Sequence, residues 1–193
     1  MEKNVLSQEI YLGHKIEVCF DNNPTPPNEW GDEATKMIAY HREFCVNDKD
    51  CDHEDLHNVD FYDSYYVFHL DIYIHSGIVL SFHSRGNIDW DTSTGWAYIL
   101  VKRAKGTWTR SKAFEYARVE LNTWNNYLSG QVFEYYIDDE CGCSGYYSEK
   151  DCLDEAKSEV GAIIRNNLKE HIFHRKQEIK HRKPLDKRVA FAW

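Results

Sequence analysis

The chain has 193 residues, 42% hydrophobic and 15% aromatic, with a formal net charge of −9. That is enough apolar material for one domain with a real core, and it excludes an intrinsically disordered chain. No apolar leader and no run of about 18 apolar residues is present, so the expected location is the cytoplasm and no membrane partner is expected.

Residues 5–12 and 14–20 alternate as short strands around Gly13, which predicts a hairpin. The stretch "DNNPTPPNEWGDE" holds three of the four prolines and reads as a loop; it contains Trp30. "ATKMIAYHREF" predicts a third strand or a short helix. Residues 46–60 are acidic and read as an exposed loop. Their Asp-x-Asp spacing lacks the Gly and the terminal Glu of a calcium loop.

Residues 65–83 carry the strongest pattern. Phe68, Leu70, Ile72 and Ile74 fall on one face of a strand, and Val67, His69, Asp71 and Tyr73 on the other. A three-residue turn, His75-Ser76-Gly77, pairs Ile74 with Ile78, Ile72 with Leu80 and Leu70 with Phe82. All the aliphatics then share one face, and Gly77 falls where a left-handed residue is needed. This register sets His69 opposite His83 and Asp71 opposite Ser81. His69, Asp71 and His83 are therefore the candidate set for a metal ion, zinc or another divalent cation, or for a shared proton. No other cofactor is indicated.

"NIDWDTSTG" is turn-rich, and it places Asp89 and Asp91 around the Trp90 indole. An exposed indole flanked by carboxylates suits contact with a basic partner, so Asp89, Trp90, Asp91 and Trp30 are candidate protein-binding residues. Residues 96–103 form another strand. The spacing of Phe114, Ala117, Leu121, Trp124 and Leu128 then predicts a helix over 112–129, with Ser111 as N-cap and Gly130 just past its end. Residues 131–137 return to a strand and 138–147 read as a turn region. Ser148 and Asp151 open a last helix reaching about residue 182, with Leu153, Ala156, Val160, Ile164, Leu168 and Ile172 on its buried face.

Strands, helix, strand, helix in that order predict an α+β fold, a mostly antiparallel sheet with two principal helices packed on one face. Residues 1–147 form an acidic body, and 148–193 a basic helix and tail packed on the same domain. Residues 156–193 hold ten Lys/Arg against four Asp/Glu, a net of +6, which leaves −15 for residues 1–155. Arg175, Lys176, Lys180, Arg182 and Lys183 make nucleic acid a second possible partner. Reduced thiols are expected. Cys141, Cys143 and Cys152 form a cluster of weak zinc spacing, and Cys45, Cys51 and His53 a looser one. Phosphate-loop, nucleophile-elbow and His-Glu-x-x-His motifs are absent, so no catalytic residues are assigned.

The segments "PPNEWGDEATKMIAYHREF", "HSGIVLSF", "WDTSTGWAYILVKR" and "ELNTWNNYLSGQVFEYYI" together resemble a family of small uncharacterised proteins carried by phages and plasmids. The resemblance covers residues 26–137. It implies a mobile-element origin and an accessory role, and implies nothing about catalysis. With the acidic, aromatic-rich composition, it points to an inhibitor of a host defence system, of the anti-CRISPR or anti-restriction type, that binds a host protein. A metal-dependent enzyme using the His/Asp face is the alternative.

Overall fold

The structure is a computed structural model that describes residues 3–29, 34–46, 63–74, 76–83, 96–103 and 109–181. It is α+β, with every described strand pairing antiparallel. The strands are β1 (Val5–Tyr11), β2 (His14–Phe20), β3 (Thr35–Tyr40), β4 (Cys45–Val46), β5 (Tyr65–Ile74), β6 (Ile78–Phe82), β7 (Trp96–Lys102), β8 (Phe133–Ile137) and β9 (Glu140–Tyr146); the helices are α1 (Arg110–Leu128) and α2 (Glu149–His181).

The strands divide over two sheets, and each sheet takes one helix. This refines the expectation of one sheet with both helices on a single face. Sheet I has the order β1-β2-β8-β9, and sheet II the order β4-β3-β7-β5-β6. Sheet I is built from the two ends of the described chain, closed by β2 against β8 from Ile16↔Ile137 to Phe20↔Phe133. Ile16, Val18, Tyr135 and Ile137 pack under Cys152, Ala156 and Val160 of α2. Sheet II buries Phe68, Leu70, Ile72, Leu80, Ala97 and Ile99 against Ala113, Ala117, Leu121 and Trp124 of α1. Each helix therefore buries part of the apolar stripe that its spacing marks out; on α1 Ala113 is buried, whereas Phe114, expected in the stripe, is 38% exposed.

The β1–β2 hairpin turns through Leu12 and Gly13, at φ 50° and 89°. Positive φ at both central residues gives the turn whose twist suits a two-residue loop. Helix α1 begins at Thr109, whose hydroxyl accepts from the Lys112 amide at 3.3 Å, two residues before the expected cap. Gly130 follows the helix at φ 70°. The amide of Asp151 donates to Ser148 Oγ at 3.3 Å, as a capping residue at the start of α2 requires. Residues 140–146 are a strand, not the expected turn. Gly142 lies so close to the Tyr135 ring that any Cβ there would overlap it.

Leu168 and Ile172, expected in the core, are 57% and 44% exposed, as are Phe173 and Ile179 at 58% and 59%. The cause is length. A helix of 33 residues spans about 50 Å at 1.5 Å per residue. The five residues of β8 cover only about 17 Å. The second half of α2 therefore outruns the sheet that its first half covers.

The outer edge of sheet II is closed by a side chain. Asn125 of α1 accepts from the Leu80 amide through Oδ1 at 2.9 Å and donates Nδ2 to the Leu80 carbonyl at 2.9 Å. One amide thus takes both backbone groups that mid-β6 turns outward. Asn125→Ala leaves this part-buried pair without a protein partner and is expected to lower stability by about 1–2 kcal/mol. Asn125→Asp keeps the acceptor for the Leu80 amide but sets a carboxylate oxygen against the Leu80 carbonyl, so at neutral pH it should lose at least as much. Urea unfolding midpoints of the two variants check the order.

Candidate functional site

Pleating puts His69 and Asp71 on the face of β5 turned away from α1, because Phe68, Leu70 and Ile72 occupy the other. The pairs Leu70↔Phe82, Asp71↔Ser81, Ile72↔Leu80 and Ile74↔Ile78 match the register expected from the pattern. The His83 amide donates to the His69 carbonyl at 3.0 Å, which sets the two histidines opposite each other. Gly77, expected in the left-handed region, is not there; His75 lies outside the described residues.

On its other side β5 pairs with β7, His69 facing Tyr98 and Leu70 facing Ala97. The imidazole of His69 packs edge-on against Tyr98, with ring centroids 4.8 Å apart at 70°. Trp96 follows one residue beyond the last pair, 52% exposed. A cleft of about 300 Å³ opens here, lined by His69, Asp71, His83, Trp96 and Tyr98 along with Leu70 and Ala97. Among the described residues no helix lies on this face. Behind the rings, Ile38, Val67 and Leu100 form a small buried cluster with Tyr40, Tyr65 and Tyr98.

Asp71 and His83 form a pair. The carboxylate Oδ1 lies 2.7 Å from His83 Nδ1, with the aspartate mostly buried and the histidine half exposed. The contact is diagonal across the hairpin, within reach of these side chains. Holding Nδ1 leaves Nε2 for a second partner and fixes the ring plane. His69 is held below its ordinary 6.5, first by desolvation against the sheet, then by the neighbouring His83 and by Arg110. The cleft thus offers one imidazole biased towards the neutral form, one held by a carboxylate, and an exposed indole. Such a set can stack, exchange hydrogen bonds and pass a proton. Among the described residues, no group of three or more His, Cys, Asp or Glu is placed to hold a metal ion.

Of the expected binding residues, Trp30, Asp89, Trp90 and Asp91 lie outside the described residues. His83 and Trp96, the described residues on either side of positions 84–95, both line the cleft. The acidic residues 47–60 also lie outside the described residues. Among the described residues that line the cleft, Asp71 is the one carboxylate. On α2, Arg175 and Lys176 are exposed, and Arg175 reaches Glu178 at 3.6 Å. Lys180, Arg182 and Lys183 have no described side chains. Cys19 and Cys152 are buried free thiols and Cys45, Cys141 and Cys143 exposed ones; burial is the main cause that pushes Cys152 up to about 12. Cys51 and His53 fall outside the described residues.

Trp96 and Tyr98 complete the site and were missed from sequence. Their strand and its alternation were visible, but its place beside β5 was not. Comparisons with protein families, curated proteins and solved structures find no match.

No helix of the described residues is long and apolar enough to cross a membrane. Because the charge of His83 disfavours a second proton nearby, His83→Gln should raise the His69 pKa towards 6.5 without reaching it, since desolvation remains. Imidazole proton shifts followed by NMR from pH 4 to 8 check this. An unchanged or lower His69 value would refute the coupling.

Proposed function

We propose that this protein acts by binding another protein through the ring-lined face of sheet II, as a non-enzymatic accessory protein of phage or plasmid kind that inhibits a host defence system. The observation that carries the binding reading is the exposed Trp96 indole, 52% accessible, which lines an open cleft together with His69 and Tyr98. An accessible indole beside imidazoles and tyrosines supplies apolar area and directional hydrogen bonding together, the composition of interface anchors. Val79 of β6, 55% exposed on the same face, extends the apolar area. The resemblance of residues 26–137 supports the accessory role. The surplus acid of residues 1–155 suits a basic partner surface, whose association it would speed. Asp89, Trp90 and Asp91 are proposed as part of the same binding surface on their residue types, an indole between two carboxylates.

A second reading is an enzyme that uses the same face. The Asp71–His83 contact at 2.7 Å favours it, since a carboxylate on Nδ1 orients an imidazole for general base work. Nucleic-acid binding by the exposed basic half of α2 is a third, and its affinity would fall steeply with salt.

Co-purification from host lysate, with mass spectrometry, separates these. Trp96→Ala should weaken recovery of the bound protein by about 30-fold or more, the cost of losing an interface anchor of ~2 kcal/mol. Asp89→Ala with Asp91→Ala should weaken it further, while His83→Gln should have the smaller effect. Unchanged circular dichroism confirms that the variants fold. Recovery equal to wild type for both the Trp96 and the Asp89/Asp91 variants would refute the proposal.

A further inference from the structure

Four strand edges border the two sheets, and they differ in how they are closed. The β6 edge is occupied at Leu80 by Asn125. The β4 edge is two residues long. The β9 edge is interrupted by two irregularities in its register with β8. Strand β1 is seven residues long and pairs with β2 regularly from Ser7 to Tyr11.

The outer side of β1 is also apolar. Val5 and Leu6 are each 42% exposed, Ile10 66% and Leu12 63%. Its one charge, Glu9, points to the helix side, where Lys157 binds it at 2.8 Å. Ser7 and Tyr11 are held on that side too, Ser7 by Glu149 at 2.8 Å and Tyr11 under the Lys157 ammonium. No proline or lysine lies within the strand, and its one register irregularity, between Val5 and Ser7, falls near its start and leaves Ser7 to Tyr11 regularly paired.

The backbone phase follows from the turn. A two-residue hairpin makes Tyr11 and His14 a hydrogen-bonded pair, and Glu9–Ile16 and Ser7–Val18 alternate with it. The N–H and C=O groups of Gln8 and Ile10 therefore point out of the sheet, and no partner for them exists among the described residues.

We infer that β1 is the seam of a symmetric dimer, in which it pairs antiparallel with the β1 of a second copy about a twofold axis at Gln8. The strand is self-complementary in that register. Gln8 exchanges both backbone hydrogen bonds with the partner's Gln8, and Leu6 lies opposite the partner's Ile10 on the face away from α2. Glu9 lies opposite the partner's Ser7, so no like charges meet. A slip of one residue would set Leu6 opposite the partner's Glu9 and break the match. The interface is isologous and closes after two copies. It joins two sheets of the type of sheet I into one of eight strands and leaves the cleft of sheet II untouched.

Sedimentation equilibrium of the full chain up to about 100 µM tests this, since dimer population depends on protomer concentration. Wild type should sediment as a dimer. Ile10→Lys, which places an ammonium beside the partner's Leu6, should sediment as a monomer with unchanged circular dichroism. As a check that does not depend on that variant folding, Gln8→Cys in a chain with Cys45, Cys51, Cys141 and Cys143 replaced by Ser should form a covalent dimer on mild oxidation. Directly opposed strand positions at this spacing accept a disulfide. A wild type that stays monomeric, a dimer that Ile10→Lys leaves intact, or no covalent dimer from Gln8→Cys would each overturn the inference.

Discussion

Strand β5 carries two incompatible faces, and its pairing with β6 decides which of them meets α1. With Ile72 opposite Leu80 and Ile74 opposite Ile78, the aliphatic rows of both strands lie together under the helix. A shift of one residue would put Val79 and Ser81 in those places and drive Asp71 or His83 towards an apolar core, where an unpaired charge costs several kcal/mol. The cleft is the other side of the same constraint. His69, Asp71 and His83 meet because the residues between them must be buried.

The two sheets have separate cores, so each helix answers to its own sheet. Among the described residues, α2 is fixed on sheet I along its first half, through Cys152, Ala156 and Val160, and by the Tyr135 hydroxyl, which donates to Glu159. Desolvation and the Glu159 carboxylate hold that phenol protonated well above its usual range. On the far face, Glu17 is held in its charged form first by Lys15 at 2.7 Å and also by Lys3 at 3.3 Å. Lys3 also lies over the Tyr136 ring, 4.0 Å from its centroid. These contacts tie the first residues of the chain to β2 and β8, joining segments more than a hundred residues apart.

Local patterns were legible. Alternation in residues 65–83 dictated the β5–β6 register, and the 3.6-residue period located both helices. Non-local pairing was not legible. Nothing in residues 14–20 announces that they pair with 133–137, so the split into two sheets was hidden, as was the placing of Trp96 and Tyr98 beside His69. Strand β9 was missed because "ECGCSGY" is poor in strand-forming residues. Its Gly142 is explained by the Tyr135 ring that rests against it, a tertiary cause. Leu168 and Ile172 continue the apolar period of α2, but period alone cannot say where the sheet beneath a helix ends.

The face assignment of β5 is the claim on which the cleft, the Asp71–His83 pair and the binding surface all rest. It is tested most directly by NMR contacts between Hα protons across the hairpin. Strong Hα–Hα contacts are expected for Ile72 with Leu80 and for Leu70 with Phe82, which face each other without exchanging backbone hydrogen bonds. Contacts from Ile72 to Val79 or Ser81 instead would mean a slipped register, and would contradict the account.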